Sequence, residues 1–213
     1  MIEKKLKELV EAVRPTQYKV GKIVEFGSYP QWKQNSDFVN SPIKWLVLAK
    51  NGHRYLLHSC YGLDCRPYNK DYADITWENC TLRQWLNNEF VNQAFDDNEK
   101  QKIVEVNNSN PDNVVFKNSG GNNTNDKVFL LSNEEVIKYY DSKDGKCRKP
   151  TEYALNNGAW KDDDSCNCVW WLRSPGDIAS TVTNVSYDGF IYYSGRNVLD
   201  DTCVIIPALW MEL

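Results

Sequence analysis

Histidine and methionine are scarce in this 213-residue chain: His53 and His58 are its two histidines, and it has two methionines. Scarce histidine removes the side chain most used for acid–base work near neutral pH and for metal ligation. His53 and His58 flank a predicted strand at an odd separation, which points them to opposite faces, so neither a histidine metal site nor a Ser/His dyad is expected. The phosphate-binding loop, the dinucleotide fingerprint and the zinc-protease helix are all missing. Clustered Lys and Arg are missing too, and a formal net charge of -4 gives no drive toward phosphate backbones, which argues against nucleic acid as a partner. No run approaches the roughly 20 apolar residues that span a bilayer, and the opening MIEKKLKELVEAV lacks the apolar core of an export signal. No membrane span is expected.

Cysteine is present but in an odd number, seven, at positions 60, 65, 80, 147, 166, 168 and 203. A chain of this size does not need stapling, so reduced thiols and a cytosolic location are expected; a cell-surface or virion location would require an export or tethering segment. The spacings Cys60-x4-Cys65 and Cys166-Asn167-Cys168 depart from the paired CxxC of zinc knuckles. Asp162, Asp163 and Asp164 together with Asp200 and Asp201 could surround a calcium ion, but a solvated acidic loop is the commoner outcome. No cofactor and no metal are therefore expected.

Apolar residues make up 41% and aromatics 13%, with eight Trp and twelve Tyr, the composition of a globular domain with either a thick core or an aromatic binding face. Ile2, Leu6, Leu9, Val10 and Val13 recur at helical spacing until Pro15, so residues 1–17 hold an amphipathic helix over 2–14, ahead of a single domain over 18–213. From Tyr18 the texture turns extended, in KVGKIVEFG, Ile43 to Leu48 and Arg54 to Ser59, which read as antiparallel strands. Thr81 to Phe90 places Leu82, Trp85, Leu86 and Phe90 on one stripe with Thr81 as N-cap. Asp96 with Glu99, and Ser132 with Glu135, form capping boxes that open two further helices. Residues 106–126, rich in Asn, Ser and Gly, read as a surface loop, followed by a strand over Lys127 to Leu131. The stretch from Gly145 to Cys168 reads as irregular, and beyond Val169 the chain is rich in strands and turns. There the Asp188-Gly189 pair signals a hairpin, and Tyr193-Ser194-Gly195-Arg196 belongs to the same strand-rich and turn-rich stretch. The fold class is α+β, with antiparallel sheets, two main helices and long loops.

Seven phrases carry a resemblance: VEFGSYPQ, PIKWLVL, CRPYN, ITWENCTLRQWLNNEF, KVFLLSNEE, WWLRSPG and PALW. From about Tyr18 onward they resemble a bacterial and phage family of uncharacterised domains, which implies a C-type-lectin-like fold of the kind also used by formylglycine-generating oxidases. Some members look like the variable target proteins of diversity-generating retroelements. Val204-Ile205-Ile206 stand here where such members often carry Gly-Val-Arg, so an ion pair expected at that place is in doubt. The oxidases use paired cysteines near a metal, whereas Cys203 has no partner at fixed spacing, so their chemistry does not carry over.

In retroelement systems, varied positions arise from codons that cannot encode Lys, Glu, Gln, Met or Trp. Residues 177–209 contain none of these five in 33 positions, against 41 in residues 1–169; strands disfavour Lys and Glu in any case. The remaining palette is one that suits recognition, because Tyr gives contact area at low entropic cost and small polar residues adapt their hydrogen bonds. Tyr187, Phe190, Tyr192 and Tyr193 are the aromatic candidates. Asp177, Ser180, Thr183, Asn184, Ser186, Arg196, Asn197, Asp200 and Asp201 are the polar ones. Val182, Val185 and Ile191 are expected in the core, and Trp170, Trp171, Arg173 and Trp210 in the framework. The expectation is a non-enzymatic module that binds a protein or glycan, with a thiol or metal oxidase, or an interaction domain of a surface or phage assembly, as alternatives.

Overall fold

A computed structural model describes residues 18–213; the helix expected over 2–14 lies outside the described residues. Strands β1 (Ile23–Gln34) and β2 (Asp37–Asn51) form a long antiparallel hairpin in which Val24 pairs with Trp45. Alternation decides the inner face: Val24 and Phe26 point inward from β1, and Ile43, Trp45 and Val47 from β2. β3 (Arg54–Ser59) adds to β2, and β4 (Tyr61–Gly62) and β5 (Asp64–Cys65) lead away from the sheet.

The helical run opens with α1 (Thr81–Trp85), passes through a π-helical turn, Leu86–Phe90, and ends with α2 (Val91–Ala94). Its N-cap is Cys80 and not Thr81: the Cys80 sulfur accepts from the Arg83 N–H at 3.4 Å. Thr81 is instead drawn to a tertiary partner, its hydroxyl accepting from the Lys70 N–H at 3.0 Å. The Asp96–Glu99 capping box opens α3 (Asp97–Lys100) as read from sequence.

Beyond β6 (Ile103–Val104), the segment expected as a free surface loop is partly folded. β7 (Val106–Asn108) and β8 (Thr124–Asp126) pair across its base. Asn113 at its centre is fully buried, donating through Nδ2 to the carbonyls of Pro175 (2.7 Å) and Tyr193 (2.8 Å) while its Oδ1 accepts from the Val115 and Phe116 N–H groups. Asn is suited to this because one amide both donates twice and accepts. β9 (Val128–Phe129) and α4 (Asn133–Tyr139), with the Ser132–Glu135 capping box, give the expected strand and helix in order. The stretch expected to be irregular carries α5 (Lys143–Lys146), β10 (Lys149–Pro150) and α6 (Glu152–Asn156); Ser142 and Thr151 cap the two helices with their hydroxyls. β11 (Trp170–Pro175), β12 (Thr181–Val185), β13 (Ile191–Asn197), β14 (Val204–Ile205) and β15 (Ala208–Glu212) complete the chain.

One sheet has the order β1-β2-β3-β15-β6, with β9 also on β15; the other has the order β13-β12-β11-β14-β5. Pairing is mostly antiparallel, with β14 parallel to β11 and β10 parallel to β4. Trp45, Trp77, Trp170 and Trp171 are fully buried, and each indole N–H has an acceptor: Phe26 O (2.7 Å), Asp126 Oδ2 (3.1 Å), Lys146 O (3.1 Å) and Arg66 O (3.1 Å). That satisfies the condition for placing an indole in a core. Val182 and Val185 are in the core as expected, with Ile191 half-buried against it.

Candidate functional site

The β12–β13 hairpin turns through Tyr187, Asp188 and Gly189. The Gly189 N–H bonds the Ser186 carbonyl at 2.9 Å, and the Ser186 N–H bonds the Phe190 carbonyl at 2.8 Å. Gly189 has φ of +80°, and a Cβ there would stand 2.2 Å from the Lys143 carbonyl oxygen, so the position favours glycine both for its conformation and for its close approach. Gly195 is not in a turn. It sits inside β13 at φ of +77° beside the register shift of β12, where a Cβ would meet the Val182 carbonyl oxygen at 2.5 Å. It makes a bulge that re-aims the residues after it.

Asn184 and Ser186, two residues apart, and Tyr192 and Arg196, four apart, line a cleft of about 320 Å³ together with Tyr187, Trp160 and Thr202. Asn184 lies directly across from Tyr192 in the ladder. The Trp160 and Tyr187 rings meet at 5.6 Å with a 66° interplanar angle, forming a corner. Asn184 is only 2% exposed, and its Oδ1 has no hydrogen-bond partner among the described residues. A buried acceptor left in that state is unfavourable until something donates to it.

Arg196 is held by Asp200 at 2.8 Å, and Asp200 Oδ1 accepts from the Thr202 N–H (2.9 Å) and hydroxyl (2.6 Å). Burial pushes the Asp200 carboxyl up, but hydrogen bonds from Thr202 and Arg196 outweigh it and hold the group below its ordinary value. Burial likewise opposes the Arg196 charge, and the Asp200 hydrogen bond overcomes it, keeping the guanidinium above its ordinary pKa. The pair therefore contributes no net charge to the cleft.

Five of the thirteen candidate residues line this cleft: Asn184, Ser186, Tyr187, Tyr192 and Arg196. Asp200 supports it from behind. Ser180 and Thr183 are buried and lie outside the lining: Ser180 Oγ lies 3.2 Å from the Tyr72 hydroxyl, and the fully buried Thr183 donates to the Ser174 carbonyl at 2.9 Å. Asp177, Asn197 and Asp201 are exposed away from the cleft, Tyr193 is half-buried, and Phe190 carries the Lys143 ammonium 3.2 Å above its ring centroid. Trp160 and Thr202 were not foreseen. A lone Trp in the polar stretch 156–167 was the available signal for the first; the second has none, and it arrives because the Trp160 N–H bonds the Thr202 carbonyl at 3.0 Å.

The cysteines lie elsewhere. The Cys65 thiol donates to the Cys203 carbonyl at 3.2 Å and to that of Asp201 at 2.9 Å, and both cysteines are free. Burial, with Asp64, Asp201 and Asp200 nearby, pushes Cys65 up to about 12, and burial raises Cys203 well above the ordinary thiol value. Protonated, buried thiols are poor nucleophiles. Among the described residues no three His, Cys, Asp or Glu side chains gather into a set that could hold a metal, and no helix is long and apolar enough to cross a membrane.

The fold and the cleft together define an α+β domain, mostly antiparallel β, that presents a small aromatic-walled recess on a β-hairpin. The chain belongs to the family described as a domain of unknown function, DUF6273, which it matches over residues 44–213. No curated protein and no solved structure matches it.

Proposed function

We propose that this domain is a non-enzymatic binding module of C-type-lectin-like fold, whose recognition surface is the β12–β13 hairpin with its cleft. The observation that carries the reading is the lining itself. Tyr187 in the hairpin turn and Tyr192 on β13 stand exposed beside Asn184, Ser186 and Arg196. Rigid aromatics with adaptable polar neighbours give contact area at low entropic cost, as in antibody paratopes. The return of the C-terminal strand β15 into the sheet begun by β1 to β3 supports a closed, lectin-like frame that holds the hairpin still. The buried, protonated Cys65 and Cys203 give the oxidase alternative less support.

The cleft residues drawn from the window 177–209 are Asn, Ser, Tyr, Arg and Thr, all of which the varied codons allow, so we propose the hairpin as the diversified element. A template repeat near the gene, differing from it only at adenines, is the expected finding; without such a repeat the diversified version falls. Binding is tested on arrays of glycans and purified host or phage surface proteins, comparing the wild type with Tyr187→Ala, Tyr192→Ala and Tyr193→Ala. The expected result is a partner whose capture drops at least tenfold in the Tyr187 and Tyr192 variants. Equal capture by wild type and all three variants rejects this surface.

A further inference from the structure

We infer a second binding site, independent of the hairpin: a groove along the helical run opened by α1 that takes a small zwitterion, a free α-amino acid. One wall is the chain after β5, with Arg66 and Lys70; the other is the run itself, with Thr81, Trp85, Asn88 and Glu89. Three hydrogen bonds fix the first wall on the second. The Lys70 N–H donates to the Thr81 hydroxyl at 3.0 Å, the Thr81 N–H to Asn69 Oδ1 at 3.1 Å, and the Leu82 N–H to the Tyr68 carbonyl at 3.2 Å. The first N–H groups of α1 are thereby taken, so side chains and not the helix end present the binding groups. At about 460 Å³ the groove falls among small-molecule sites, roughly 300–1,000 Å³.

Donors gather at one end. The Arg66 guanidinium lies 4.4 Å over the Trp85 ring, and its Nε donates at 3.3 Å to Asp64, which is buried and itself held by Tyr29 and Asn157. The two Nη groups have no hydrogen-bond partner among the described residues, and the side chain is 42% exposed, so a fork set in place from behind faces the groove. Beside it stand the Lys70 ammonium, paired only loosely with Asp71 at 3.9 Å, and the Thr81 hydroxyl, whose proton no described residue accepts.

Acceptors gather at the other end. Glu89 is exposed, and its carboxylate has no partner among the described residues. Asn88 commits its Nδ2 to the Gln84 carbonyl at 2.6 Å, which leaves Oδ1 as an acceptor. Both belong to the π-helical turn Leu86–Phe90, and single π turns are rare and concentrate at functional sites. Trp85, which carries the Arg66 fork, and Glu89 are four residues apart on one stripe, about 6 Å along the axis at roughly 1.5 Å per residue. That is close enough for a carboxylate and an ammonium on the same carbon to reach both ends, each through a charge-assisted contact of about 2.8 Å. A lone anion meets Glu89, a lone cation meets Arg66 and Lys70, and a neutral ligand answers neither charge.

The test titrates L-alanine, L-leucine and L-glutamine into the protein and follows two resonances: the Arg66 Nε–H, identified by its loss in Arg66→Lys, and the Asn88 side-chain amide, identified by its loss in Asn88→Ala. N-acetylalanine, without the ammonium, and alaninamide, without the carboxylate, are the single-charge arms. The expected result is a saturable shift of both resonances with at least one amino acid, weakened at least tenfold for either single-charge form and about tenfold in Arg66→Gln and in Glu89→Gln. Because Glu89 is exposed, its variant keeps the test valid if Arg66→Gln disturbs the fold around Asp64. No shift with any amino acid, binding of either single-charge form as tight as that of the amino acid, or binding that Glu89→Gln leaves unchanged or strengthens overturns the assignment. The hairpin reading is judged separately, by the arrays.

Discussion

Arg173 shows how much one side chain of the WWLRSPG phrase can hold. It is 3% exposed; its Nε donates to Asn110 Oδ1 (3.1 Å), Nη1 to the Leu130 carbonyl (2.6 Å) and to Glu135, and Nη2 to the Ser109 carbonyl (3.0 Å). Arg173→Ala removes the donor to those carbonyl and amide oxygens and the cation beside the Glu135 carboxylate, so urea unfolding is expected to show a loss of about 3–5 kcal/mol. Its framework role was legible in sequence, but its partners, about 40 to 60 residues away along the chain, were not. His58 is the second case. It is fully buried, with Nδ1 2.6 Å from the Tyr140 hydroxyl, and that hydroxyl also accepts from Arg148 at 2.6 Å. Burial, then the Arg148 charge, lowers its pKa well below 6.5. The unfolded chain therefore binds a proton below pH 6.5 that the folded chain refuses. Stability from this group is present above that pH and is lost as pH falls, by about 1.4 kcal/mol per pH unit down to the folded pKa. Denaturant midpoints of wild type and His58→Asn between pH 7 and pH 5 check this: the slope due to one proton should be absent from the variant.

At the scale of elements, the hairpin that carries the cleft depends on two glycines that play different parts. Gly189→Ala puts a Cβ 2.2 Å from the Lys143 carbonyl oxygen at a positive φ. It is expected to lower stability by about 1–3 kcal/mol and to weaken partner capture, as read by thermal melting beside the binding arrays. Unchanged melting would show that the turn relaxes at no cost. The Asp188-Gly189 turn was readable because turn chemistry is local. The bulge at Gly195 was not readable, because it exists only through the register of β12 beside it. The same division runs through the helices: both capping boxes are local and were foreseen, whereas Thr81 lost its capping role to Cys80 when Lys70 engaged its hydroxyl. The burial of Thr183 was not readable for a related reason, since β12 is covered on both faces by the packing of the whole sheet and not by its residue types.

At the scale of the whole molecule, the last strand is central and not peripheral. β15 pairs with β3, β6 and β9, and its Leu209 and Met211 are fully buried. Deleting residues 207–213 exposes the edge of β3 and opens the core, so loss of the near-ultraviolet dichroism signal and of cooperative melting is expected. A truncated chain that still melts cooperatively would show the first sheet to be self-sufficient. By itself the sequence determined the α+β class, the order of the main strands and helices, the framework place of Trp170 and Trp171 and the hairpin, because periodicity, caps and turn residues act over a few positions. Only the tertiary structure decided the cleft. Trp160 and Thr202 reach Asn184, Tyr187, Tyr192 and Arg196 through sheet pairing and loop packing across tens of residues, and contacts over such separations leave no local pattern in the chain.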